Sequence, residues 1–395
     1  MADRSNFRVI QGKSEAEVNI SKKIRKHRMH SMLRVLLIVV VIIAIAAVLV
    51  NSYKNQVFSG YVITQKGDYQ VIENTSYMEN NGSIIRYSKD GISNTDINGE
   101  VLWNLTYEMQ SPIVKTADGF VGVGDYNGHI VHLIDAKGNS YEVDTKLPIR
   151  DFSVSSTGYV AAILEDAGNS WINLFNKEGT KIVEAKATMS KTGYPIACSL
   201  SGEVMGVSYF YVDGDTMRSS VTFYNFGGVG ENVTDHIVSS YDYANAVVPM
   251  VEFMNADACF AVADNCLMFF EGSKKPVSKK DILLDRQIQG VYYSDTHVGL
   301  LFYDHTGVNK YSLDVYNAAG EKVMSHGFDM NFKDIIIRND QILIYNESEC
   351  QVVGLNGKEK YRGTFEGRVH YVVATDVPRK FLVIINNGLA TLEFE

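Results

Sequence analysis

Two patterns of apolar residues divide the chain. Residues 35–50 read VLLIVVVIIAIAAVLV, sixteen positions without a polar side chain. After residue 55 no such run recurs. Apolar residues there come in short groups rich in Val, Ile, Tyr and Phe, broken by Gly, Asn and Asp. The first pattern predicts a membrane-spanning helix and the second predicts β-strands. Sixteen residues at about 1.5 Å each cover roughly 24 Å, a little short of a ~30 Å hydrocarbon core. Met32, Leu33 and residues 51–53 extend the span to 32–53, with Val35, Leu36, Leu37, Ile38 and the rest through Val50 in the lipid. The segment is rich in β-branched residues, yet in lipid only a helix satisfies its own backbone.

Charge sets the orientation of that span. Lys22, Lys23, Arg25, Lys26, Arg28 and Arg34 precede it, whereas Lys54 is the one basic residue close behind it. The positive-inside rule then places the N-terminus in the cytoplasm. The expected division is a basic cytoplasmic tail at 1–31, a transmembrane helix at 32–53, a short tether at 54–59 and an extracytoplasmic domain at 60–395. A cleaved signal peptide is the competing reading, because Ala44-Ile45-Ala46 resembles a small-residue cleavage site. The long charged segment ahead of the span, and the apolar run continuing past that site, favour an uncleaved anchor. Residues 51–58 reach at most about 26 Å when extended, which would hold the outer domain near the bilayer. The basic run reads as a topology signal in contact with anionic lipid rather than as a docking peptide.

Beyond residue 90 a unit recurs: an apolar strand, a turn closing on glycine, then another strand. The turn glycines are Gly99, Gly138, Gly179, Gly227, Gly272, Gly320 and Gly357, spaced by 39, 41, 48, 45, 48 and 37 residues. Glycine suits a tight hairpin because the position calls for positive φ. Two more strand candidates precede each turn, such as GFVGVGD (119–125) and HIVHLID (129–135). Four short antiparallel strands per period of this length predict the blades of a β-propeller, an all-β fold. Past the last turn lie three strands without a fourth, and GYVITQK (60–66) is a strand without a blade, preceding DYQVIEN (68–74). Pairing the N-terminal strand with the last three closes the ring and hides its edges. That count gives eight blades, with seven as the alternative.

The unit Asp96-Ile97-Asn98-Gly99-Glu100-Val101-Leu102-Trp103 resembles the repeat of quinoprotein (PQQ-type) propellers. It is also similar to the repeat of the propeller lipoprotein in the bacterial outer-membrane assembly machine. The resemblance implies that Trp103 docks one blade on the next. In the other repeats Tyr141, Val183 or Val323 stands near the equivalent place. The whole arrangement resembles a family of Firmicutes membrane proteins of unknown function with a basic tail, one span and a propeller-like ectodomain. That implies a Gram-positive envelope and no known activity.

Composition narrows the function. Residues 1–34 hold nine Lys/Arg against three acids, and the remainder holds 28 against 43. An acidic outer domain is a poor match for nucleic acid, which needs clustered cations. Cys198, Cys259, Cys266 and Cys350 have neither metal-ligand spacing nor a disulfide framework and read as buried small side chains. The nearest pair, Cys259 and Cys266, has the wrong alternation parity for a bridge across a hairpin. His129 and His132 sit three apart, on opposite faces of a strand. Asp125-Tyr126-Asn127-Gly128 and Asp213-Gly214-Asp215 lack the full calcium-loop pattern and read as turns. No hydrolase, zinc-protease or nucleotide-loop motif is present. With two tryptophans and no ligand cluster, nothing supports a bound quinone or any other cofactor.

The tyrosine groups Tyr209-Phe210-Tyr211, Tyr241-Asp242-Tyr243 and Tyr292-Tyr293 read first as packing between blades, and second as an aromatic binding rim. The expected function is a non-catalytic scaffold outside the membrane for a protein or cell-envelope partner. The alternative is a glycan-acting enzyme with acidic residues near the propeller axis. A sensor is weaker, because 34 residues are too few for a folded output domain.

Overall fold

The computed structural model describes residues 14–67, 74–187, 193–338, 340–375, 377–386 and 388–395. The chain divides into two units, Met1–Gln56 and Val57–Glu395. Among its described residues the first holds a single helix, Ser14–Lys54, of 41 residues. It starts well before the expected boundary at residue 32, so the basic run belongs to the same helix as the apolar one. No Gly or Pro interrupts residues 14–54, and Lys, Arg and Met are good helix formers. Its stretch Arg25–Ser52 is exposed on all sides and long and apolar enough to cross a membrane. By length and composition it meets the requirement of an anchor or a signal sequence.

The second unit is an eight-bladed β-propeller, each blade a sheet of four antiparallel strands. Blades 1 to 7 occupy residues 76–106, 112–144, 149–187, 194–244, 250–283, 288–328 and 334–364, each in simple up-and-down order. Blade 8 is built from both ends of the unit. Strands Val369–Ala374, Lys380–Ile385 and Gly388–Phe394 are completed on the outside by Tyr61–Gly67. Tyr61 pairs with Phe394 and Ile63 with Leu392. The Phe58 amide donates to the Lys360 carbonyl at 2.7 Å, and the Phe58 ring stacks on Phe394 at 5.6 Å. The closure expected from the strand count is therefore the one observed, while the expected strand at 68–74 lies almost wholly outside the described residues.

A propeller buries both faces of every sheet, and the strands record it. Central strands such as Val160–Asp166 and Ala258–Val262 are buried at nearly every position. That explains their continuous apolar runs in place of alternation. The core is accordingly eight clusters, one in each seam between neighbouring blades. First strands of neighbouring blades lie against each other around the axis, and Ser76–Asn80 of blade 1 lies against Val369–Ala374 of blade 8. The last strand of each blade faces outward. In Val101–Thr106 only Trp103 is buried.

Candidate functional site

The turn glycines join the third and fourth strands of blades 1 to 7. Gly99, Gly138, Gly179, Gly272, Gly320 and Gly357 have φ of 88°, 83°, 77°, 126°, 73° and 79°. An Asp or Asn side chain closes several of these turns. Asp96 Oδ1 accepts from the Asn98 and Glu100 amides at 2.9 and 2.8 Å, and Asp135 Oδ1 accepts from Lys137 and Asn139 at 2.9 Å each. Slight burial works against ionising Asp96, but those donors outweigh it and hold its carboxyl below the ordinary range. Gly227 departs from the pattern and is not in the left-handed region. Blade 4 reverses over the long loop 226–236 instead, and its positive φ values fall on Asp235 and His236. With eleven residues to turn in, the chain does not need glycine at that point.

Trp103 packs in the seam between blades 1 and 2 and lies against the next glycine turn. A Cβ on Gly138 would stand 2.6 Å from the Trp103 Cβ. Register identifies the matching residue in the other blades. Trp103 pairs with Asn94 just before a bulge, and that place is held by Val183, Ser239, Lys280, Met324 and Tyr361, with Tyr141 in blade 2 where no bulge intervenes. In blade 6 the residue is thus Met324, which is buried, and not Val323, which faces outward.

A connected polar group near the axis lies on the first strands of blades 2 to 5. Lys115 Nζ meets Asp151 Oδ1 at 3.3 Å, and both side chains are about two-thirds buried. Ser199 Oγ donates to Glu252 Oε2 at 2.9 Å and accepts from the Phe253 amide at 3.1 Å. Ser153 likewise accepts from the Leu200 amide at 3.0 Å. Serines thus stitch blade 3 to blade 4 and blade 4 to blade 5. Burial pushes the Glu252 carboxyl up, against the opposing pull of Lys115 and the Ser199 hydroxyl. Burial would lower Lys115, but Asp151 and then Glu252 more than compensate, so its ammonium stays charged. One cation thus serves two carboxylates. The signal for two of these residues is a lone charge inside an apolar strand, Lys115 in PIVKTA and Glu252 in MVEF, whereas Asp151 in IRDFSV follows Arg150.

Blade 4 also carries an overhang. Its two middle strands, Val204–Asp213 and Thr216–Asn225, are ten residues long, against five to seven in the middle strands of the other blades. Their last two rungs, Val212↔Met217 and Asp213↔Thr216, extend past the pairing with the flanking strands, which ends at Tyr194↔Phe210 and Arg218↔Ala244. Alternation puts Val212 and Met217 on one face, each 54% exposed. The other face is polar, with Arg218 over the Tyr211 ring at 6.0 Å and 3.7 Å from Asp213.

Remaining candidates fall into place as structure. Tyr209 is buried between blades 3 and 4, its hydroxyl 2.5 Å from that of Tyr224. Tyr241 and Tyr243 pack in the seam of blades 4 and 5, and Tyr292 in that of blades 6 and 7. Tyr211 and Tyr293 are more open. His129 precedes its strand and lies 3.6 Å from Asp144, while His132 stacks on Tyr107. Asp125 caps the chain by accepting from the Gln110 and Ser111 amides. The four cysteines are buried free thiols. Among the described residues no three His, Cys, Asp or Glu are grouped as metal ligands.

Comparison with known proteins adds a family and a fold. Residues 54–394 match a family described as "Family of unknown function (DUF5711)". No curated protein matches the chain. Among solved structures, the computationally designed Ika8 protein superposes with a TM-score of 0.55 at 12% identity, covering 86% of this chain and 99% of that one. Apo AztD from Citrobacter koseri gives 0.54 at 12% identity, covering 79% and 94%. BamB from Moraxella catarrhalis gives 0.48 at 14% identity, covering 84% and 97%. At these identities the first two likenesses show the fold alone.

Proposed function

The chain belongs to the DUF5711 family of unknown function, and we propose that it is a membrane-anchored binding scaffold whose propeller lies outside the cell membrane and recruits a protein or envelope partner. In this reading the N-terminal helix is retained as an anchor, with Lys22 to Arg34 on the cytoplasmic side. The observation that carries the proposal is the blade 4 overhang. A propeller hides its strand edges by closing, and a two-stranded extension with Val212 and Met217 open to solvent stands apart from that economy. Partner surfaces with an apolar face beside Tyr and Arg are common at interfaces.

The axial group supports a non-catalytic reading over a glycan-acting one. Acid–base hydrolysis uses two carboxyl groups, one protonated and one ionised, on either side of the scissile bond. Here Lys115 is paired with Asp151 and attracted to Glu252, and serines tie the same strands together as inter-blade struts.

The test is a photo-crosslinking residue at position 212 or 217 of the full chain in intact cells, with position 182 on the outer strand of blade 3 as control. The scaffold reading expects one discrete adduct from 212 and 217 and none from 182. Adducts of equal yield at all three positions, or none anywhere, would remove its support.

A further inference from the structure

The seam between blades 5 and 6 is packed around Phe260, Phe269 and Phe302 but opens into a cleft at its outer strand. The outer strand of blade 5, Val277–Leu283, has no fully buried residue. Lys280 occupies the position that Trp103 holds in blade 1, pairing with Phe269 just before the bulge. Its stem lies beside the Gly320 turn, as Trp103 lies beside Gly138. A lysine does not fill the space of an indole. A cleft of about 290 Å³ remains, its lining including Lys280, Asp285, Arg286, Phe302, Tyr316 and Lys322.

Three cations outnumber one acid on its wall, and two of the cations are held in place. Asp314, 1% exposed, accepts from Arg286, from Lys322 Nζ at 2.8 Å and from Ser325 Oγ at 2.6 Å. The Arg286 guanidinium lies 4.0 Å over the Phe302 ring, and Lys322 Nζ lies 5.6 Å from the centre of the Tyr316 ring. One buried carboxylate therefore positions two cations, and Lys280 adds a third at the rim. Asp285, almost fully exposed, is 3.8 Å from Arg286 Nε on the solvent side. These four flanking charges and Asp314 leave an excess of positive charge, in a domain (57–395) with 27 basic residues against 43 acidic ones.

We propose that this cleft binds a phosphate group. Three cations on separate strands and connectors around one cavity suit a tetrahedral anion with several acceptor oxygens. Fixing Arg286 and Lys322 on Asp314 removes the cost of ordering them at binding. The phosphate can come from inorganic phosphate or from a phosphoester, and the chemistry at the cleft is shared.

Isothermal titration of the full chain in detergent tests this, first with inorganic phosphate and then with sn-glycerol 3-phosphate, each against chloride of equal ionic strength. One saturable site is expected. Lys280→Glu should weaken it by about tenfold or more, the loss of one charge-assisted contact and the gain of a repulsive one. Lys280→Trp should abolish it by filling the cleft, while the protein still melts cooperatively at the same temperature or higher. Tighter binding of the phosphoester assigns the source to an esterified phosphate, and equal binding assigns it to free phosphate. No saturable heat from either probe, or wild-type titrations from both variants, would overturn the proposal.

Discussion

The seam between blades 1 and 2 and the seam between blades 5 and 6 share one backbone plan and are filled in opposite ways. In each, the residue of the outer strand just after the bulge leans on the next blade's glycine turn. The first seam puts Trp103 there and buries it among Ile92, Val121 and Ile134. The second puts Lys280 there, leaves a cleft, and gathers Arg286, Lys322 and the buried Asp314 around it. The propeller is therefore tolerant of what sits at the docking position. Its ring is held by the sum of its seams, and the second seam keeps its own buried cluster around Phe260 and Phe302.

The sharpest way to break this comparison is to truncate both docking residues. Trp103→Ala removes a buried indole and leaves a cavity, with an expected loss of about 3–5 kcal/mol. Lys280→Ala removes an exposed stem, and its expected effect is within about 0.5 kcal/mol. Urea unfolding of the full chain in detergent, followed by tryptophan and tyrosine fluorescence and by circular dichroism, reads both. If the two truncations cost the same, the seams do not differ as the packing says.

How far this was legible in the sequence depends on the turn. Where a tight glycine hairpin joins the third and fourth strands, the docking residue lies four positions after the glycine when a bulge follows, as in Gly99 to Trp103 and Gly320 to Met324. In blade 2, which has no bulge there, Gly138 leads to Tyr141 at three. Glycine spacing alone does not reveal a bulge, which is why Val323 stood in for Met324. In blades 4 and 5 longer connections separate Gly227 from Ser239 and Gly272 from Lys280, and the equivalence disappears from view. The blade count survived because it rests on the number of strands and on closure, which a one-residue shift does not disturb. The axial group was not legible, because Lys115, Asp151, Ser199 and Glu252 lie on four different blades and meet only in the ring.

A second prediction tests whether charge has replaced packing in the open seam. Arg286→Met removes one of two cations on Asp314 and should cost about 2–3 kcal/mol, less than a wholly unpaired buried carboxylate because Lys322 and Ser325 remain. Adding Asp314→Asn should recover part of that loss, a coupling a double-mutant cycle measures. Burial opposes ionising Asp314, but Lys322, Ser325 and Arg286 prevail and hold its carboxyl below the ordinary 3.8. A depressed acid contributes stability above its unfolded value that is lost as pH falls through the folded one. The difference between wild type and Asp314→Asn should therefore shrink as pH drops below about 4. A difference that stays constant would mean that Asp314 acts through shape and not charge.

The smallest effect separates the open seam from the axis. Glu252 is also a carboxylate inside the ring, but it shares Lys115 with Asp151, and burial carries its carboxyl above the ordinary 4.5. The sign is opposite to that of Asp314. The folded state holds this proton more tightly than the unfolded chain, so stability falls as pH rises through and above 4.5. Glu252→Gln keeps a group able to hydrogen-bond Ser199 and removes that slope. The variant should match wild type near pH 4 and exceed it by less than about 1 kcal/mol at pH 8, read from thermal melts across that range. A variant less stable than wild type at pH 8 would show that attraction to Lys115 outweighs the cost of burying the charge. The axial group would then resemble the seam, where two cations make ionisation of a buried acid favourable, and the contrast between one shared cation and two dedicated ones would fail.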